Sequence, residues 1–452
     1  MKFIRIILSW KIDLFPDKIV DFYKLDFDRF VKDVKKYWEN SRDFELLDLF
    51  ESGLYIHDEW VKFNRFLLKW DITEELDGNP LSILKNDNSD YLIEEIGKMK
   101  NVEKEINIEV DKTRYEFFFY RNGIGILRGD WTLKVPDNFD YRLLENFDCS
   151  IGDYFEKKTE RKDFGSKLSQ AINKIIISLK MALAAQMADI DADEIHKVVD
   201  WDDLYIIRDP SIKGKEDITR FLSDYQILHG LKEEERENLF SMTENGHLVI
   251  GYDGAILFVL DDFFDKSKIE TIAKLMDIAG SYVQSLFSTN VKLREWMGNK
   301  NNLFPNSIKD IEKNIAFMRE YTHYVNLLLS DSSTEFIAMD KETNNILSAS
   351  YRHWNYETIK GDIQKKSSII ADITRNMYSE SISKKSDILN EIIFIFTILT
   401  FSAVIATLIQ VIDFENYIFP LELRILLVFA GTLTLAVLTG IYVLSKIRVS
   451  NK

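Results

Sequence analysis

Two stretches late in the sequence constrain this chain more than anything else in it: Ile392 to Ile412 and Ile425 to Ser445, each 21 residues without a charged side chain. At about 1.5 Å of rise per residue, a helix of either length crosses the roughly 30 Å of a bilayer's hydrocarbon. Only twelve residues separate the two runs, so together they read as a transmembrane hairpin. Lys384 and Lys385 precede the first run and Lys446, Arg448 and Lys452 follow the second, whereas the intervening segment sets Asp413, Glu415 and Glu422 against the single Arg424. Positive charge stays on the cytoplasmic side, which predicts a multi-pass protein of the plasma (inner) membrane with both termini in the cytoplasm.

The rest of the chain has an ordinary globular balance and reads as a mixed α/β, or α+β, cytosolic head. The net charge of −16 argues against nucleic acid as a direct partner, because affinity for nucleic acid comes from Lys and Arg meeting phosphate. The single cysteine, Cys149, rules out an internal disulfide framework and reads as a small buried side chain. Met1 to Lys11 is an apolar run broken by charge, which suggests a strand and not a signal peptide. Alternating β-rich runs flank Asn122-Gly123 and Asp253-Gly254, predicting hairpins over Arg114–Val135 and His247–Leu260. Further strands are expected at Phe3–Leu14, Leu54–Asp58, Ile106–Val110 and Leu204–Arg208. Helices are expected near Lys18–Trp38, Ser166–Asp189, Lys266–Trp296 and Ser307–Leu329. The charged stretch Glu156–Asp163 divides an N-terminal region, 1–160, from a second region, 161–355.

From Tyr356 to about Asn390 there is no proline and only Gly361, and Ile359, Ile363, Ile370, Ile373 and Met377 form a narrow apolar seam. This stalk, 356–391, should run without a break into the first span, 392–412. A segment at 413–424, the second span at 425–445 and a basic tail at 446–452 follow. Within the first span Asn390, Thr397, Thr400, Val404, Thr407 and Val411 recur on one helical stripe. Its hydroxyls can bond back to their own helix while the stripe serves only helix packing, or several copies can turn it toward a shared wet axis.

This arrangement resembles the CorA-type divalent-cation transporter family over residues 356–445. Tyr378, Ser381, Ser383 and Ser386 lead to Asn390-Glu391 and then Thr397, as the family's Tyr/Ser-rich segment leads to Asn-Glu and a Thr-containing span. Phe414 to Leu423 looks like a distorted form of its outer loop. The family's Gly-Met-Asn tripeptide is missing, with Phe414-Glu415-Asn416 or Val411-Ile412-Asp413 in its place, and this sets magnesium selectivity aside. The head is also longer than the family's by more than about a hundred residues. The resemblance implies a homopentamer with the first span lining the axis and the second facing lipid. Asp413, Glu415, Asn416 and Glu422 would ring the outer mouth, unless those acids are merely solvated. Divergent members accompany type III CRISPR systems, where a nucleotide second messenger opens them in antiviral defence. The implied function is a ligand-gated membrane channel and not an enzyme. An ordinary magnesium or other divalent-cation transporter and a membrane-anchored enzyme or scaffold are the alternatives.

Other constellations carry less. Asp189, Asp191 and Asp193 begin like a calcium loop, but Glu194 occupies the turn-glycine position; they read as a solvated acidic segment or a regulatory divalent-cation site such as Mg2+ would fill. No cofactor is required by any motif. Gly123-Ile124-Gly125 lies inside a hairpin, the six histidines show no zinc spacing, and there is no Walker motif.

Overall fold

A computed structural model describes residues 2–37, 44–48, 66–71, 109–135, 137–141, 144, 167–187, 190–225, 240–243, 246–251, 254–260, 266–299, 302, 307–333 and 341–414, with isolated positions from 426 to 437. The chain divides into two compact units, Met1–Leu303 with Phe317–Ala371, and Phe304–Ala316 with Asp372–Lys452.

The first unit is built on β1, Lys2–Asp13, whose period-two alternation presents two chemically different faces. Ile4, Ile6, Leu8, Trp10 and Ile12 enter an apolar core, while Arg5, Ser9, Lys11 and Asp13 point the other way. β4 (Glu109–Tyr120) and β5 (Ile124–Val135) form the hairpin expected at Asn122-Gly123. Gly123 takes φ +87°, and a Cβ there would meet the Phe22 ring at 2.2 Å, so the turn needs glycine twice over.

One mixed sheet runs β2-β3-β4-β5-β1-β6-β9-β8-β7. The strands not yet placed are β2 (Phe44–Asp48), β3 (Phe66–Asp71), β6 (Lys197–Arg208), β7 (Phe240–Thr243), β8 (Gly246–Ile250) and β9 (Gly254–Val259). All neighbours are antiparallel except β6 and β9. Strands from both sides of residue 160 therefore share a single sheet. β8 and β9 form the expected hairpin, but Gly251 donates to Gly254 O and Gly254 opens β9, so the turn lies between these two, one residue before the expected Asp253-Gly254. The expected strand at 54–58 lies outside the described residues.

The apolar face is covered by α1 (Phe27–Tyr37), α2 (Lys167–Ala184) and α3 (Lys215–Asp224), which contribute Phe30, Val34, Ile172, Ile175, Leu179, Ile218 and Phe221 to the core. A short 3-10 turn, Phe22–Lys24, stands where a continuous helix from Lys18 is expected, with Asp21 capping it by accepting from the Tyr23 N–H. The opposite face is covered by α4, Lys266–Gly298. Two more helices, α5 (Ile308–Asp331) and α7 (Tyr356–Phe414), contribute residues to both units, and α6 (Lys341–His353) packs on α4. The stalk and the first span are thus one helix of 59 residues, as the lack of breakers predicts. Ile363, Ile370 and Met377 of the expected seam are buried, and Ile359 and Ile373 partly so.

Candidate functional site

Two features of the chain bear on function: the apolar length of α7, and a layer of charge buried between the sheet and α4.

Tyr356–Ile405 is the one helix, among the described residues, long and apolar enough to cross a membrane; no residue of its most apolar window is buried. Phe396 is 64% exposed and Leu399 59%. Leaving such side chains in water forgoes about 1.5–3 kcal/mol each, so this surface calls for lipid or another apolar partner. From 391 to 405 only Glu391, Phe394, Ile398 and Ile405 are partly covered, and they share one face. Ile405 meets the second apolar run there: a Cβ on Gly431 would lie 2.9 Å from Ile405 Cδ1. Small residues let membrane helices approach closely. Gly431→Leu is therefore expected to cost about 1–3 kcal/mol by overpacking. The melting temperature of the full-length protein in detergent should fall, with a smaller shift for Gly431→Ala; no shift for either would mean that the two segments do not pack here.

Asn390, Thr397, Thr400 and Val404 are all exposed and lie a quarter to a third of a turn, roughly, from that packed face. Thr397 Oγ1 donates to Ile393 O and Thr400 Oγ1 to Phe396 O, each at 2.8 Å. The hydroxyls are thus satisfied by their own helix, a state open to a lipid-facing, packed or water-facing row alike. Thr407, Val411 and Asp413 continue α7 by backbone, with side chains outside the described set. Glu415, Asn416 and Glu422 lie outside the described residues.

The buried charge layer has a sequence signal that period-two reading of β1 alone overlooks. Glu270, Asp277, Ser281, Ser285, Ser288 and Lys292 recur along α4 at helical spacing, a polar stripe turned inward. Arg5 donates to both Asp130 oxygens, at 2.9 and 2.7 Å, and to Glu270 at 2.5 Å. Arg128 donates to Asp277, with both side chains only 2% exposed, and has Glu270 at 3.7 Å and Glu116 at 3.9 Å. Burial is the largest single influence and pulls the Arg128 guanidinium down, but the charges of Asp277, Tyr120 and Glu116 and the hydrogen bond to Asp277 together outweigh it, and the net shift is upward. Lys292 and Ser288 donate to Asp13. Lys11 donates to Asp202 at 2.6 Å and to Asp200 at 2.9 Å. Gly280 lets the α4 backbone approach that last pair: a Cβ there would meet Lys11 Cε at 2.6 Å and Asp202 Oδ2 at 2.7 Å.

A pocket of about 280 Å3 opens beside Asp13, lined among others by Lys18, Asn122, Ser288, Lys292 and Tyr324. Much of that volume is open solvent, so the enclosed space is far short of the roughly 300–1,000 Å3 that drug-sized ligands occupy. Of the acidic segment, Asp189 lies outside the described residues, and Asp191 and Asp193 are exposed. The Asp193 N–H donates to Asp191 Oδ1 at 3.0 Å, Lys18 pairs with Glu194 at 2.7 Å, and Lys180 Nζ donates to the Glu194 carbonyl. Burial holds the Lys180 ammonium down at about 8. Lys18 and Lys180 beside Asp191, Asp193 and Glu194 fit a dication poorly, and among the described residues no three metal-ligating side chains converge.

No family model and no curated protein matches the chain. The functional case therefore rests on the residues themselves.

Proposed function

We propose that this chain forms a CorA-like homopentameric membrane channel, opened by a nucleotide-type ligand at its cytosolic head and acting as a membrane effector in antiviral defence. One observation carries the proposal: α7 is continuous from Tyr356 through its bare apolar length, and its polar row is not the face used to pack on Gly431. The polar row left over after the hairpin has packed is open to a neighbour of its own, though its back-bonded threonines do not demand one. Copies arranged about an axis supply one, with water filling the conduit between the rows. Asn390, Thr397, Thr400, Val404, Thr407 and Val411 line that conduit in this reading. Asp413, Glu415, Asn416 and Glu422 sum their potential, with the acids concentrating cations at the outer mouth. The chain is then inserted in the plasma membrane with both ends in the cytoplasm.

The test is conductance of the full-length protein in planar bilayers or liposomes. Replacing Thr400 and Thr407 together by Leu turns two wet layers into apolar constrictions, which gate by dewetting, and should lower conductance about tenfold or more. An unchanged conductance removes these residues from the conduit. Absence of any flux from the wild-type protein, with its oligomer intact and a panel of nucleotides supplied, reduces the hairpin to an anchor. Rescue of a magnesium-auxotrophic strain would favour the transporter reading instead.

A further inference from the structure

The α6–α7 joint sits directly on the innermost part of the charge layer, and both belong to the first unit. Trp354, 7% exposed, follows the last residue of α6 and places its ring centroid 5.2 Å from Lys11 Nζ. Asn355 then takes φ 55°, a left-handed conformation that turns the chain from α6 into α7. Tyr351 and Tyr356 stack across the turn at 4.2 Å, and the Tyr356 and Ser332 hydroxyls are 2.8 Å apart. The joint is thus held by aromatic contacts, one of them to an ammonium that itself is fixed by two carboxylates.

We infer that Lys11, Asp200 and Asp202, with the Trp354 indole over them, form a pH-sensitive clamp that holds the α6–α7 joint to the sheet. The charges are unbalanced, since one lysine is shared by two acids. Asp202 has a 6% exposed side chain and a second oxygen, Oδ2, that is buried without a hydrogen-bond partner, whereas the Asp200 side chain is 51% exposed. Asp202 is therefore the acid that gains from a proton. The groups facing it are Lys11 from β1, Asp200 from its own strand and Asp277 from α4, the last already occupied by Arg128; Gly280 adds no charge, and the joint brings the Trp354 indole against Lys11, with His353, next to Trp354 in the chain, as its own titratable residue. Burial raises the Asp202 carboxyl above its ordinary range, Lys11 opposes that, and Asp200 and Asp277 add to it. A carboxyl raised in the folded state contributes stability that is full below its ordinary value, near pH 4, and is lost as pH climbs through the raised one. The clamp is therefore tight in acid and loosens toward neutrality, when the one lysine that meets the indole is shared by two charged acids. The inference concerns only the joint and does not depend on what α7 does beyond Ala371.

The experiment is hydrogen exchange of the full-length protein in detergent, read at the amides of Trp354 and Ile359, which donate to Ser350 O at 2.9 Å and Asn355 O at 3.1 Å. Protection, corrected for the intrinsic exchange rate, is measured from about pH 5 to about pH 7.5. The wild-type protein should lose protection at the joint by up to about tenfold per pH unit, and amides of β4 and β5, which exchange through larger openings of the same sheet, should lose no more than that. Asp202→Asn should hold the acid-like protection at every pH. Asp200→Asn, which leaves one acid for Lys11, should move the transition to lower pH. Wild-type protection that does not change with pH overturns the clamp. So does a pH dependence that survives in Asp202→Asn, or, should that variant fail to fold, a transition that is not moved to lower pH in Asp200→Asn.

Discussion

Asp277→Ala is expected to destabilise the head by about 3–5 kcal/mol, because it strands a guanidinium that cannot shed its charge. Arg128 is 2% exposed, and its remaining carboxylates stand at 3.7 and 3.9 Å, beyond good hydrogen-bonding distance. The reverse change, Arg128→Met, should cost less, since a carboxyl group, unlike a guanidinium, has an accessible neutral form. Arg128→Met with Asp277→Leu should recover much of the loss, the apolar pair replacing two desolvated charges. Urea unfolding of the full-length protein, followed by circular dichroism, closes this cycle. Equal costs for the two single variants would show that the pair is hydrated in solution and that the layer is weaker than its geometry.

The second large effect lies on the opposite face of β1. Trp131 is fully buried, with Trp10 edge-on at 6.1 Å and Tyr115 at 5.7 Å, and its indole N–H donates to the Tyr115 hydroxyl at 3.3 Å. Gly129 on the same strand closes the remaining side, where a Cβ would meet Trp131 Cη2 at 2.5 Å. Trp131→Ala leaves a cavity that these rings and strands cannot fill, for an expected loss of about 3–5 kcal/mol. Trp131→Phe, keeping most of the volume but orphaning the Tyr115 contact, should cost distinctly less. The same unfolding measurement checks both, and near-equality of the two would indicate that the site collapses.

Local signals in the sequence located elements well and partners poorly. The Asn122-Gly123 turn, the alternation of β1 and the breaker-free run from Tyr356 each state their own geometry, and β4–β5, β1 and α7 follow them closely. Two things were not legible. β6 lies antiparallel to β1 yet parallel to β9, and nothing within Leu204–Arg208 encodes which strand comes to its other side. The polar row Arg5, Ser9, Lys11 and Asp13 has the pattern of a solvent-facing edge, and it becomes interior only because α4 brings matching groups from more than 250 residues away. The signal was present in α4 as Glu270, Asp277, Ser281, Ser285, Ser288 and Lys292 at heptad-like intervals, but it acquires meaning only when set against β1. Of the membrane stripe, the periodicity and the back-bonded threonines were legible in advance, since both are properties of a single helix.

Among the described residues the sheet ends on short strands: β2 has five residues and β7 four, against twelve in each of β1, β4, β5 and β6. A rim that brief exposes few unpaired amides and carbonyls, so a neighbouring copy finds almost no template on which to extend the ladder. Crowding these heads together, as any ring of copies must, then carries little danger of edge-to-edge polymerisation, and contacts between copies are left to side chains, where geometry can be specific and reversible.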